Sequence, residues 1–168
     1  GININNIKKN FLFMDNKYIN IYNSLVNLSR NKDLYKNFTS QDTFSDRLIF
    51  FLIHFAFFLK IFKKNDKKIL QDIYDYIFKQ LELSIREIGY GDASINKKMK
   101  DYVNLFHSII IKIEKWKSLN LKDKNQIIKS LFNAVNNDDL GIYFDKFCVE
   151  LENNTLNYYI KSVIKFEK

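Results

Sequence analysis

Few residues in this chain could do chemistry, and their spacing narrows the options further. Gly89 and Gly91 form a G-x-G inside "REIGYGD". That arrangement suits a phosphate cradle, in which backbone N–H groups at a helix start close on an anion. Asp72 and Asp75 stand at Asp-x-x-Asp spacing, which puts two carboxylates on one helix face, as a magnesium-dependent synthase of the helical isoprenoid type needs. His54 and His107 are the two imidazoles, and Cys148 is the single thiol. Each option lacks a part. A dinucleotide fingerprint needs a third glycine after a strand, and a P-loop needs Gly-Lys-Ser/Thr. A helical synthase needs a second acidic motif on a facing helix, and the Asp72–Asp75 pair has no counterpart; on a helix such carboxylates read as a solvated face. Two histidines without a cysteine cluster make no zinc site. Cys148 reads as a small buried hydrophobe in a chain that can form no intrachain disulfide, which fits a reducing compartment. The expectation is a binding protein, not an enzyme, with no cofactor, no metal and no small-molecule substrate.

The elements that hold these residues are helices. The 168 residues contain no proline and four glycines, and 46% are hydrophobic. Sheets and long loops need more punctuation than that. The expected fold is all-α, a single bundle of about six or seven helices over 15–168, after a weakly ordered lead-in at 1–14. Gly1 stands where an initiator Met would and is read as the scar of trimming or of a tag. Tyr18, Ile21, Tyr22, Leu25 and Leu28 step by three and four, the mark of an amphipathic helix. A connector with one apolar turn at Leu34 and Tyr35 follows. Thr39, Ser40 or Asp42 is the expected cap of a hydrophobic helix running to Phe62. Asn65 and Asp66 break the chain before a stripe of Ile69, Leu70, Ile73, Ile77, Leu81, Ile85 and Ile88. The next stripe runs from Ile95 through Met99, Tyr102, Phe106 and Ile109 to Ile113. A turn is expected at 120–124, a short helix through Ile127, Ile128, Leu131, Phe132 and Val135, and a last helix over about 140–165 that frays near Asn153 and Asn154.

The formal charge is +8, which favours an anionic partner such as RNA, a membrane surface or an acidic protein. The excess of lysine over arginine, with abundant Asn and Ile, also matches the codon bias of an AT-rich genome, and the two readings stand side by side. "LIFFLIHFAFFLKIF" at 48–62 is shorter than the roughly 20 apolar residues of a spanning helix. It is flanked by Asp46, Arg47, Lys63 and Lys64. Apolar all round, it reads as a central core helix, with membrane docking as the alternative. Exposure of Phe51, Phe55 and Phe58 would instead mark it as a face for a hydrophobic client.

"IREIGYGDASINKKMKDY" lies between two strong stripes, so its glycines read as a helix–helix corner. Gly89 takes the C′ position, where a left-handed backbone suits glycine. Asp92 or Ser94 is the expected N-cap, Tyr90 closes the corner with its ring, and Arg86 with Asp92 ties it as an ion pair.

Four stretches carry a resemblance. "IYNSLVNLSRNKDLYKNF" is similar to an opening helix with a Tyr connector. "DTFSDRLIFFLIHFAFFLKIF" matches an Asp-Thr, Arg and Leu-x-His pattern. "IFKQLELSIREIGYGD" ends in Arg-Glu-hydrophobic-Gly-x-Gly-Asp, the most specific of the four, and "INKKMKDYVNLF" is a basic helix start. Together, over about 21–116, they resemble the ubiquinol-cytochrome c chaperone family; the final fifty residues show no such likeness. Family members often carry an Arg shortly after the aromatic at Phe106, where this chain has His107, Ser108 and Ile109. The resemblance implies an assembly factor that binds cytochrome b or another complex III precursor without covalent chemistry. It implies a small partner subunit and contact with a ribosome or an anionic membrane surface. The implied place is the cytoplasmic face of a bacterial inner membrane, or the matrix side of the mitochondrial inner membrane.

The residues expected to meet a partner are Asp42, Arg47 and His54 on the hydrophobic helix, and Arg86, Glu87, Gly89, Gly91, Asp92, Lys97 and Lys98 at the corner. Arg47 and His54 are two turns apart and share a helix face. For His54 a satisfied core histidine is the competing expectation, and for Arg47 an ion pair with Asp42 or Asp46. The alternative function is a basic helical module for RNA or ribosome binding, with Lys97, Lys98, Lys100, Lys112, Lys115 and Lys117 as its charged face.

Overall fold

The computed structural model describes residues 16–36, 38, 44–133 and 137–164. Among the described residues the chain forms seven α-helices and no strands: α1 Ile19–Ser29, α2 Phe44–Ile61, α3 Lys67–Glu87, α4 Asp92–Lys112, α5 Leu121–Lys129, α6 Leu140–Glu152 and α7 Leu156–Lys161, with 3₁₀ turns at Lys32–Tyr35 and Trp116–Ser118. The expected caps Thr39, Ser40 and Asp42 lie outside the described residues, as do Val135 and the lead-in at 1–14.

Polar side chains set the helix starts. Asp66 accepts from the N–H groups of Lys68 and Ile69 at 2.8 and 3.2 Å and opens α3. Two expected boundaries differ for the same reason. Asn120 accepts from the Asp123 N–H at 2.8 Å, so α5 begins where a turn was expected. Thr155 accepts from the Tyr158 N–H at 3.1 Å, so the single expected last helix is two, broken cleanly at 153–155 rather than frayed. In each case a local cap satisfies N–H groups that hydrophobic spacing does not register.

α2 packs on α1, α4 and α6. From Phe50 through Phe58 every residue of α2 is buried, Phe51 at 4% exposure and Phe55 and Phe58 at 0%. The face that could have met a client is therefore the core. Phe55 stacks on Phe106 of α4 with ring centroids 5.1 Å apart, and Phe57 stacks on Phe144 of α6 at 5.1 Å. Burying one such side chain contributes roughly 1.5–3 kcal/mol, so this helix dominates the apolar stabilisation. The other elements close around it. Trp116 Nε1 donates to Asp145 at 2.8 Å, and Lys124 pairs with the same carboxylate at 2.9 Å, joining the end of α4 to α5 and α6. Gly141 donates its N–H to Asn125 Oδ1 at 2.7 Å; a Cβ there would stand 2.6 Å from that oxygen, so any larger residue would push the Asn125 side chain aside and disturb that bond. The Ile164 N–H donates to Ser24 Oγ at 2.7 Å and Asn20 Nδ2 to the Ile160 carbonyl at 3.1 Å, holding the C-terminal segment against α1.

His54 lies inside this core at 0% exposure. Its Nδ1 is 2.6 Å from the Phe50 carbonyl, which can only accept, so Nδ1 carries the proton. Nε2 then accepts from the Tyr143 hydroxyl at 2.7 Å. Burial pushes the imidazole pKa down to about 4, against a smaller opposing effect of the Phe50 bond. Burial likewise pushes the Tyr143 phenol far above its ordinary value. The ring is neutral and satisfied, and it reaches no solvent. The folded-state value lies below the unfolded 6.5, so stability is full above pH 6.5 and is lost as pH falls toward 4. Urea unfolding should show a loss of about 2 kcal/mol between pH 7 and pH 5, absent from His54→Gln in that window. Equal slopes for the two proteins contradict the neutral buried ring.

Candidate functional site at the α3–α4 corner

The last buried residue of α3 is Ile85, after which Arg86, Glu87, Ile88, Gly89, Tyr90, Gly91 and Asp92 are all exposed. Gly89 has φ +102°, the left-handed backbone expected of it. Its N–H bonds the Arg86 carbonyl at 3.0 Å. Gly91 has an ordinary φ of −72° and is itself the N-cap of α4, with no side chain to offer. Asp92, one of the two expected caps, is the first residue of α4, and Ser94 lies within that helix. The reason is the chain's economy: Gly91 in an extended conformation already begins the turn, and its carbonyl accepts from Ile95 at 3.0 Å. Asp92 instead pairs with Arg86.

That pair fixes the corner. Arg86 Nη1 lies 2.5 Å from Asp92 Oδ1, and Nη2 lies 3.0 Å from Glu82 Oε1, so one guanidinium bridges the last turn of α3 and the first of α4. The bond to Asp92, then that to Glu82, raise the Arg86 pKa. With its carboxylate committed to Arg86, the corner has the closure expected of an ion pair. Tyr90 stands between the glycines with Lys98 Nζ 4.6 Å from its ring centroid. Tyr102 lies beneath, its phenol pKa raised by burial first and by Tyr90 second. The ring of Tyr90 thus leans on α4 and stays 40% exposed beside Ile88 at 54%. Ile88 belongs to the apolar stripe of α3 by spacing, yet it projects to solvent because the helix turns away at Gly89.

The other expected contact residues are placed apart from this corner. Arg47 is half-buried and lines a groove between α1, α2 and α3, with Tyr22, Val26, Arg30, Phe44 and Leu81. Tyr22 and Ser84 share a hydrogen bond of 2.6 Å at the same groove. His54 meets Tyr143, Phe144 and Phe147 of α6 instead. Helix periodicity put Arg47 and His54 on one face, but α2 has neighbours on every side and the two meet different ones. Buried as it is, His54 meets a partner only if the core opens. Asp42 lies outside the described residues. Glu87 and Lys97 are exposed. Asp72 and Asp75 are exposed too, Asp75 accepting from Gln71 at 2.9 Å. Among the described residues no group of three or more His, Cys, Asp or Glu is placed to hold a metal. Cys148 is buried, and burial raises its thiol pKa to about 12, as an inert core thiol requires. The reading from sequence missed Ile88 as a surface residue; its position one step before a C′ glycine was the available signal.

Residues 36–139 match a family model described as Ubiquinol-cytochrome C chaperone. The match begins after α1, so it leaves out most of the first stretch of the likeness read from sequence, which starts at Ile21, and it runs through α5, past that likeness's Trp116 limit, taking in the corner whole. Comparison with curated proteins and with solved structures finds no match.

The two corner glycines separate in experiment. Gly89→Ala should lower stability by about 1 kcal/mol or more, since alanine strains at positive φ. Gly91→Ser, which gives α4 a capping hydroxyl, should hold stability or raise it by a few tenths of a kcal/mol. Chemical denaturation measures both, and equal effects at the two positions contradict the assigned geometry.

Proposed function

The chain belongs to the ubiquinol-cytochrome C chaperone family, and from that premise we propose that it is an assembly chaperone of the cytochrome bc1 complex. In this reading it holds newly made cytochrome b, or another hydrophobic subunit of that complex, by non-covalent contact at the α3–α4 corner. The observation that supports the site is the pairing of two exposed apolar side chains, Ile88 and Tyr90, with a corner whose backbone is held by Arg86, Glu82 and Asp92. A rigid loop loses little entropy on binding. A tyrosine ring offers large contact area for few rotatable bonds. Lys97 and Lys98 on one side and Glu87 and Asp92 on the other supply a polar rim that orients a partner without carrying its affinity. Arg47 and Phe44, at the groove on the other side of α3, are proposed as a second contact for the same client or for a small partner subunit.

Among the described residues no helix is long and apolar enough to cross a membrane. We place the protein beside the membrane that holds its client, on the cytoplasmic face in a bacterium or the matrix side in a mitochondrion. The test is crosslinking of tagged full-length protein in its own membranes, followed by identification of the captured chains. Cytochrome b or a complex III precursor should be recovered, and Ile88→Asp with Tyr90→Asp should reduce that recovery roughly tenfold, the loss of two interface anchors, while the circular dichroism melt stays unchanged. Recovery of no complex III subunit contradicts the function. Undiminished recovery by the double variant contradicts the corner.

A further inference from the structure

We propose that the end of the bundle formed by the α2–α3 turn and the C-terminal end of α4 docks on an anionic phospholipid surface. The inference rests on the reading above that the protein works beside a membrane enzyme, and it assigns the surface that would face the lipid.

"KIFKKNDKK" at 60–68 makes the turn. Lys63, Lys64, Lys67 and Lys68 are exposed there, and Lys112 and Lys115 are exposed at the end of α4. The two segments are joined: Lys60 Nζ donates to the Glu114 carbonyl at 2.6 Å. Lys63 and Lys117 are close enough to Lys60 that, after burial, their charges help to lower its pKa. Lys117 is committed to Glu152 at 2.7 Å. None of the ion pairs among the described residues uses the other six. The acids at this end are fewer, and Asp66 is occupied in capping α3. Lysines that could have been neutralised within the fold are instead held toward solvent in one cluster.

Two features favour lipid over nucleic acid. The cluster is lysine throughout, a set of point charges on long flexible stems. These suit a fluid array of head groups better than the bidentate geometry that selects arginine at fixed phosphates. The most exposed large apolar side chain among the described residues, Ile111 at 71%, lies on α4 beside Lys112. Leu59, Leu70 and Ile110 line a shallow groove with Lys63 and Lys67. An aliphatic residue among lysines inserts at the head-group boundary, and the two rings that also line the groove, Tyr74 and His107, share a hydrogen bond of 3.1 Å with each other. Each lysine near an anionic surface adds to the attraction, and the sum falls with salt.

Sedimentation of the full chain with vesicles tests this. The protein should pellet with phosphatidylcholine vesicles containing about one third phosphatidylglycerol and not with phosphatidylcholine alone. K63Q/K64Q/K67Q/K68Q should weaken binding at least tenfold, whereas K32Q/K36Q/K146Q/K161Q, which removes the same charge elsewhere, should change it by no more than about twofold. Ile111→Asn should weaken vesicle binding with the melt unchanged. Equal loss in both four-lysine variants overturns the surface, since net charge alone would then suffice. So does a protein that ignores vesicles but binds single-stranded RNA through these lysines. Client capture is scored separately: its absence with vesicle binding intact contradicts the chaperone role and leaves this surface standing.

Discussion

α2 must be hidden on every side, and the rest of the molecule follows from that. A run from Leu48 to Phe58 in which nearly every side chain is buried cannot sit at the edge of a bundle. It needs helices around its whole circumference, and α1, α4 and α6 supply them. The cost of such a run is the one polar side chain between Leu48 and Phe58. His54 is accommodated because its Nδ1–H donates to α2's own Phe50 carbonyl and the Tyr143 hydroxyl, from α6, donates to the opposite nitrogen. An imidazole with only one of these bonds would leave a buried polar atom unsatisfied. The hydrogen bond from Tyr143 therefore fixes the register of α6 on α2, beside the Phe57–Phe144 stack.

With the apolar helix inside, surface chemistry falls to the helix ends. The α3–α4 corner and the α2–α3 turn differ in what they show. At the corner a guanidinium is spent on two carboxylates, leaving Ile88 and Tyr90 as the outward features. At the turn Lys63, Lys64, Lys67 and Lys68 take part in none of the ion pairs among the described residues, and the charge itself is the feature. In the proposed reading the first meets an apolar segment of a protein client and the second an array of anions.

The fold was largely legible in the sequence because helical stripes are set by burial, and burial dominates here. The stripes of α1, α3 and α4 follow from spacing, and the central placement of α2 from its being apolar all round. Boundaries were less legible. Asn120 and Thr155 are ordinary polar residues until a specific N–H is in reach, and Gly91 took the capping role expected of Asp92. Gly89 was readable because a stripe ended on one side of it and a new one began on the other. The site was legible in part. The Arg86–Asp92 pair followed from proximity across a tight corner. The exposure of Ile88 did not, because spacing assigns a face and cannot tell where the neighbouring helix stops covering it. For Arg47 and His54, a shared helix face did not mean shared surroundings once α2 had neighbours all round.

Hydrogen exchange along α2 tests the central claim most directly. If the helix is a closed hub and the contact surfaces lie outside it, amides from Leu48 to Phe58 exchange only through global unfolding. Their opening free energies should then equal the unfolding free energy from denaturation, while α5 and α7 open at lower cost. Exchange of α2 through a cheaper local opening would contradict the account, since the apolar helix would then be available to a client and the core would be the binding site.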